Sequence, residues 1–186
     1  MKPIGARAHL VAHAARPLDP HEAAMTAEAL RFIDEHPDCL WRTCLRGHLT
    51  GSAWIVSSDR SRVLLTHHHQ LDKWLQLGGH ADGDPDLVAV AFREAGEESG
   101  LTRLRVVTGE LFDFDRHEIP ARGDVPAHWH FDFRFLIEAD PAEPLRISSE
   151  SKDLAWVDIG RVTGLNREES MARMVRKTVA LPRPAI

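Results

Sequence analysis

The stretch from Gly78 to Leu101, GGHADGDPDLVAVAFREAGEESGL, constrains this chain more than any other. Asp84 suits a helix N-cap, Pro85 the first helical position, and Gly100 the left-handed position after a last turn. The spacing therefore predicts a helix over 85–99. Leu87, Val88, Ala91, Phe92 and Ala95 give that helix an apolar stripe to bury. Glu94, Glu97 and Glu98 fall at i, i+3 and i+4, so the three carboxylates share one face. Like charges at that spacing cost about 0.2–0.5 kcal/mol per pair, and no Lys or Arg stands at i+4 of any of them. Glu98 also lies near the C-terminal end, where the helix dipole disfavours an anion. Such a cluster has two readings. One is a solvated acidic face, and the other is an oxygen donor set for a hard cation, Mg²⁺ or Mn²⁺.

The segment resembles a Nudix box, G-x5-E-x7-R-E-U-x-E-E-x-G-U, in which U is a bulky apolar residue. Gly79 takes the first position, and Arg93-Glu94, Glu97-Glu98, Gly100 and Leu101 take the later ones in register. Two positions depart: the first box Glu is replaced by Pro85, between Asp84 and Asp86, and the apolar residue after Arg-Glu is a small Ala95. The resemblance implies an α/β (α+β) fold, a Nudix-type α/β/α sandwich with a mixed central sheet. Residues 41–186 would form the hydrolase domain and 1–40 an N-terminal helical extension. It further implies Glu97 and Glu98 as principal metal ligands and Glu94 as a ligand or as the residue that positions the attacking water. Arg93 would orient the glutamates, and the Gly78 carbonyl would complete the coordination sphere. In the family the missing Glu supports the box Arg, a role that Asp86, or failing it Asp84, would take over.

The activity implied is hydrolysis of a phosphoanhydride bond in a nucleoside diphosphate linked to another group, with metal-activated water attacking phosphorus. The expected partners are a small nucleotide-like diphosphate and a second copy of the chain as a homodimer. Two rivals stand beside this reading. A non-catalytic nucleotide-binding module is favoured by Pro85 and opposed by the intact Glu94, Glu97 and Glu98. An enzyme similar to isopentenyl diphosphate isomerase, a Nudix-fold relative with metal-binding His and Glu residues, is suggested by the histidines. Gly78 stands where that isomerase has its catalytic cysteine, which argues against it.

Twelve histidines beside no tyrosine are the compositional oddity. In AHWHFDF, 127–133, His128, His130 and Asp132 alternate to one side of a strand, with Trp129, Phe131 and Phe133 on the other, against a core. His48 and His80 are the further candidates for the same region. Three roles remain open for this set: contacts to phosphate or base in a wet cleft, a second metal site, or structure alone. His67-His68-His69 reads as a polar loop or as a substrate contact. Trp74 and Trp129 are either packed or stacked on a base. An additional acid from Asp113–Glu118, or Glu150, is the candidate base outside the box.

A net charge of −5 without Lys/Arg runs disfavours duplex nucleic acid and anionic membranes as partners. No segment is apolar enough to span a bilayer, and the first twenty residues lack the apolar core of a signal peptide. Cys39 and Cys44 alone match neither a disulfide framework nor a zinc knuckle, so a reduced, cytoplasmic protein is expected. Patterning predicts helices over 20–36 and 167–181, capped by Asp19 and Asn166 with Glu22 and Glu169 as capping-box acids. It predicts strands over 48–56, 62–66, 103–107, 110–114, 129–137 and 154–157.

Overall fold

A computed structural model describes residues 3–149 and 151–182, so Glu150 lies outside the described residues. The helices are α1 (Ile4–Ala14), α2 (Pro20–Glu35), α3 (Leu87–Ser99), α4 (Val162–Leu165) and α5 (Glu169–Ala180). The strands are β1 (Gly47–Ser57), β2 (Arg62–His68), β3 (Trp74–Leu75), β4 (Leu77–His80), β5 (Arg105–Val106), β6 (Asp113–Ile119), β7 (His128–Ala139) and β8 (Ser151–Asp158). No helix among the described residues is long and apolar enough to cross a membrane. The chain forms two compact units, one of Met1–Ser52, Gly78–Ala91 and Thr108–Phe135, the other of Ala53–Leu77, Phe92–Val107 and Leu136–Ile186. Strands β1 and β7 and helix α3 contribute residues to both.

In the first unit, α1 precedes the helix at which order was expected to begin. Its alanine-rich sequence favours a helix, but it has no acidic first turn and no capping side chain, the signals that would have announced it. Asp19 caps α2 as expected, accepting from the N–H groups of His21 and Glu22. Glu22 does not close a capping box. Its side chain is buried, paired with His13 Nε2 at 2.8 Å and accepting the Phe114 N–H.

Strands β6 and β7 pair antiparallel from Asp113↔Arg134 to Ile119↔His128. The strand expected over 110–114 thus lies a few residues later, because the alternating acids of β6 find a partner in Arg134 across the ladder. The opposite face is apolar, as the alternation of 128–133 requires. Phe131 stacks on Phe32 of α2 at 4.2 Å between centroids, and Phe133 meets Phe114 edge-on.

Strand β1 runs parallel to β7. Trp129 N–H donates to the Arg46 carbonyl, Thr50 Oγ1 reaches Asp132, and the sequence offset stays nearly constant between these two contacts. With antiparallel pairs elsewhere, the sheet is mixed. Gly51 of β1 has no room for a side chain, since a Cβ there would lie 2.8 Å from the Leu87 carbonyl and 3.0 Å from Val90. The start of α3 is therefore seated directly on the β1 backbone.

In the second unit the end of β1 and the start of β2 form the expected hairpin, with Ile55↔Leu64 and Val56↔Val63 in register. Strand β2 pairs along its whole length with β8, from Arg62↔Asp158 to His68↔Ser151. Helix α5 buries Met171, Met174 and Thr178, and the Thr178 hydroxyl accepts from Trp54 Nε1 at 2.8 Å. Asn166 does not cap α5. Its amide oxygen accepts the Glu168 N–H and its amide nitrogen donates to the Trp74 carbonyl, so the helix begins after Glu168 without a side-chain cap.

The hairpin turn depends on Asp59. It accepts from the Ser57 hydroxyl at 2.6 Å and from the Ser61 N–H at 3.0 Å, and these bonds hold its pKa down to about 2. A depressed carboxylate pKa contributes stability above the unfolded value of about 3.8 and loses it as pH falls through the folded one. Asp59→Asn is expected to lower the urea midpoint at pH 7. The gap from the unsubstituted protein should close as pH is taken from 4 toward 2, read from midpoints at each pH.

Candidate functional site

Helix α3 begins two residues later than the sequence suggested. Asp86, not Asp84, is its cap: the Asp86 carboxylate accepts the Ala89 N–H and its carbonyl accepts the Val90 N–H. Asp84 in turn accepts from the Asp86 N–H, so the stretch around Pro85 is a tied turn rather than helix. Asp86, expected to stand in for the missing box Glu, uses its carboxylate as a helix cap.

Within α3 the buried side consists of Leu87, Val90, Ala91 and Ala95, while Phe92, expected there, is 39% exposed. Glu98 is buried on that same side. Glu94 is largely covered and Glu97 largely exposed, their side chains 19% and 64% accessible. Arg93 supplies the compensating charge, with Nη2 2.9 Å from Glu94 and Nε 3.9 Å from Glu97 one turn on. The trio thus offers oxygen donors graded from buried to exposed along one helix, the donor type that hard divalent cations require.

The first unit holds His48, His80, His128 and His130. On β7, residues 128, 130, 132 and 134 share a face, and the β6 register brings His117, Asp115 and Asp113 opposite the last three. On β1, His48, Thr50 and Ser52 lie toward the same side, as the Thr50 and Ser52 bonds to Asp132 show. His48 lies 4.9 Å from His128, 4.7 Å from His130 and 5.0 Å from His80 between ring centroids, and His80 lies 4.9 Å from His130. The sequence candidates His48, His80, His128 and His130 therefore come together. His117 joins them 5.6 Å from His130, a member the sequence reading had set among the acids. Its signal was there in the alternation Asp113, Asp115, His117.

Burial, first, and the neighbouring imidazoles, second, depress these rings. His48 falls to about 4 through burial and His128; His130 falls to about 2 through burial, His80 and His48. His80 falls to about 4, with burial the largest cause and Arg42 the next. At neutral pH all three are uncharged and carry a lone pair. His128 donates from Nδ1 to the Pro126 carbonyl at 2.8 Å, which leaves Nε2 as the acceptor in the neutral ring. Among the described residues, both ring nitrogens of His48, which is 4% exposed, and Nε2 of His130 have no hydrogen-bond partner. The Cys44 backbone lies near His48 but outside hydrogen-bonding geometry. An unmet buried polar atom costs about 1–3 kcal/mol.

Asp132 lies on the same face. Its Oδ1 accepts from the Thr50 and Ser52 hydroxyls at 2.8 and 2.7 Å, and its Oδ2 from Arg134 Nε at 2.8 Å. Arg134 also reaches Asp113 and Asp115, each at 3.3 Å. Burial works against this guanidinium, yet the three carboxylates outweigh it and raise its pKa. Asp113 and Asp115 are thereby tied to Arg134 across the β6–β7 ladder.

Gly78 abuts Ser52 so closely that a Cβ there would sit 2.2 Å from the Ser52 hydroxyl and 2.7 Å from its Cα. Among the other sequence candidates, His67 stacks on Trp74 and pairs with Asp72 at 2.9 Å, and His68 Nδ1 accepts the N–H groups of Gln70 and Leu71. Both close a turn. Trp129 carries the Arg116 guanidinium 4.0 Å above its ring.

Comparison with known proteins identifies the family. The NUDIX domain family matches residues 48–178, and the chain belongs to that family. An Ap4A hydrolase from C. elegans, solved as a binary complex, is 18% identical over 71% of this chain and 95% of its own, with a TM-score of 0.57. A NUDIX-family hydrolase from Clostridium perfringens is 28% identical over 73% and 98%, with a TM-score of 0.54. The E. coli dihydroneopterin triphosphate pyrophosphohydrolase is 16% identical over 69% and 92%, with a TM-score of 0.54. Among curated proteins no match was found. The expected fold class, α+β with a mixed sheet of the Nudix type, is the one observed.

Removing Arg134 would strand three buried carboxylates. Arg134→Met is expected to destabilise the protein by about 3–5 kcal/mol in urea unfolding. Adding Asp113→Asn and Asp115→Asn to that variant should recover part of the loss.

Proposed function

We propose that the protein is a divalent-cation-dependent diphosphohydrolase. It cleaves a phosphoanhydride bond in a nucleoside diphosphate linked to another moiety. The observation that carries this reading is the trio Glu94, Glu97 and Glu98, in Nudix-box register on α3 and organised by Arg93. Three carboxylates at i, i+3 and i+4 form an all-oxygen donor set, which fits Mg²⁺ or Mn²⁺ by hardness. Burial of Glu98 supports the fit, because a carboxylate held out of water near a helix C-terminus gains most from a bound cation. The relatives' names, Ap4A hydrolase and dihydroneopterin triphosphate pyrophosphohydrolase, support a polyphosphate substrate.

Glu97 and Glu98 would be the principal ligands. When bound, the cation neutralises the diphosphate and makes a coordinated water acidic enough to attack at neutral pH. Arg93 holds Glu94 and Glu97 in place, so that their oxygens are presented without the entropy cost of ordering two free side chains. Glu94, partly shielded from solvent, would ligate the cation or position the attacking water.

The test is release of nucleoside monophosphate or phosphate from a panel of nucleotide diphosphates with Mg²⁺ or Mn²⁺. Glu97→Gln and Glu98→Gln should each lower kcat/KM by about 100-fold or more at limiting cation. Because Glu97 is largely exposed, its substitution should leave the melting temperature unchanged. Wild-type turnover in either variant would refute the ligand assignment. Binding of nucleotide without any product would favour the binding-module reading.

A further inference from the structure

We propose that His48, His128 and His130 form a binding site for a transition-metal ion of the Zn²⁺ class, with His80 beside its fourth position. This site uses none of the residues assigned to hydrolysis, and it stands whether or not the hydrolase reading holds.

Geometry comes first. One ligand nitrogen from each of His48, His128 and His130 lies within 4.8 Å of the other two. A tetrahedral ion bound at about 2.0–2.1 Å holds its nitrogens roughly 3.4 Å apart, so small ring rotations bring these three onto one ion. His80 packs against both His48 and His130 and is the nearest further imidazole to fill the remaining position.

The hydrogen-bond pattern is the second observation and is independent of the first. His48 is buried, and neither of its ring nitrogens has a partner. His130 Nε2 is orphaned in the same way. Buried imidazoles that pack only against one another leave their lone pairs unused, and a shared ion satisfies several of them at once. His128, by contrast, is already oriented: its Nδ1–H donates to a backbone carbonyl, the outer bond that metal-ligating histidines regularly make.

Chemistry selects the ion. The donors are neutral nitrogens, and Asp132, two residues from His130 on the same strand face, has its oxygens engaged by Thr50, Ser52 and Arg134. Mg²⁺ and Ca²⁺ want oxygen, whereas imidazole suits zinc, cobalt, nickel and copper.

The experiment uses the full chain, stripped with chelator and titrated with Co²⁺ alone. One equivalent is expected to bind and give the visible d–d bands of a low-coordinate nitrogen site. In His48→Gln/His130→Gln the affinity should be at least about 100-fold weaker, beyond what losing an outer-shell partner costs. Glu94→Gln/Glu97→Gln/Glu98→Gln should retain both bands and affinity. Should the histidine variant fail to fold, zinc K-edge absorption on the unsubstituted protein decides: imidazole scattering from three or four nitrogens is expected. An oxygen-only shell would overturn the proposal. So would undiminished Co²⁺ binding in the histidine variant, or loss of the bands when only the glutamates are replaced.

Discussion

The guanidinium of Arg134 is the node from which one face of the first unit is organised. It is buried among three aspartates on two strands, and the Asp132 carboxylate passes the connection on to Thr50 and Ser52 of a third. A buried charge group of this kind is weak evidence for net stability, because its desolvation is costly. Its value lies in register. A slip of one residue would turn the aspartates and the arginine to the apolar side, facing Phe32 and Phe114, and leave each of them unpaired. The same register fixes where His117, His128 and His130 stand. The imidazole cluster is therefore held on a rigid polar base, as a preorganised site requires.

The chain carries two donor sets of opposite character. Helix α3 presents carboxylates, anionic and partly wet, with Arg93 to balance them. The β1–β7 face presents uncharged nitrogens in a drier setting. Cations differ in their preference between such sets by hardness, so the proposed hydrolytic ion and the proposed nitrogen-bound ion would select different donors.

How much of this was legible in the sequence depends on range. The left-handed Gly100 that ends α3, the alternation over 128–133 and the β1–β2 hairpin are local patterns, and they read out well. Alternation put His128 and His130 on one strand face, and the resemblance to the Nudix family implied that His48 and His80 approach the same region. Arg134 was not anticipated, since an arginine at an inward strand position declares itself only once the partner aspartates of β6 are in register. For the same reason Asp113 and Asp115 read as a spare catalytic acid. Glu22 and Asn166 have the composition of capping residues, but tertiary contacts with His13 and with the Trp74 carbonyl claimed their side chains instead. Asp86 took the cap from Asp84 because the turn through Pro85 is closed by side chain–backbone bonds that propensity alone does not rank.

The absence of a side chain at Gly78 has a consequence for chemistry on this fold. Position 78 is sealed by the backbone and hydroxyl of Ser52, so no nucleophile can be grafted there by a single substitution. A thiol at that point needs the neighbouring strand to withdraw its own Cα, and Ser52 is tied to Asp132 and through it to Arg134. Any route from this scaffold to covalent catalysis at that edge therefore passes through dismantling the ion network beneath it, which separates the two chemistries by several coupled replacements rather than one.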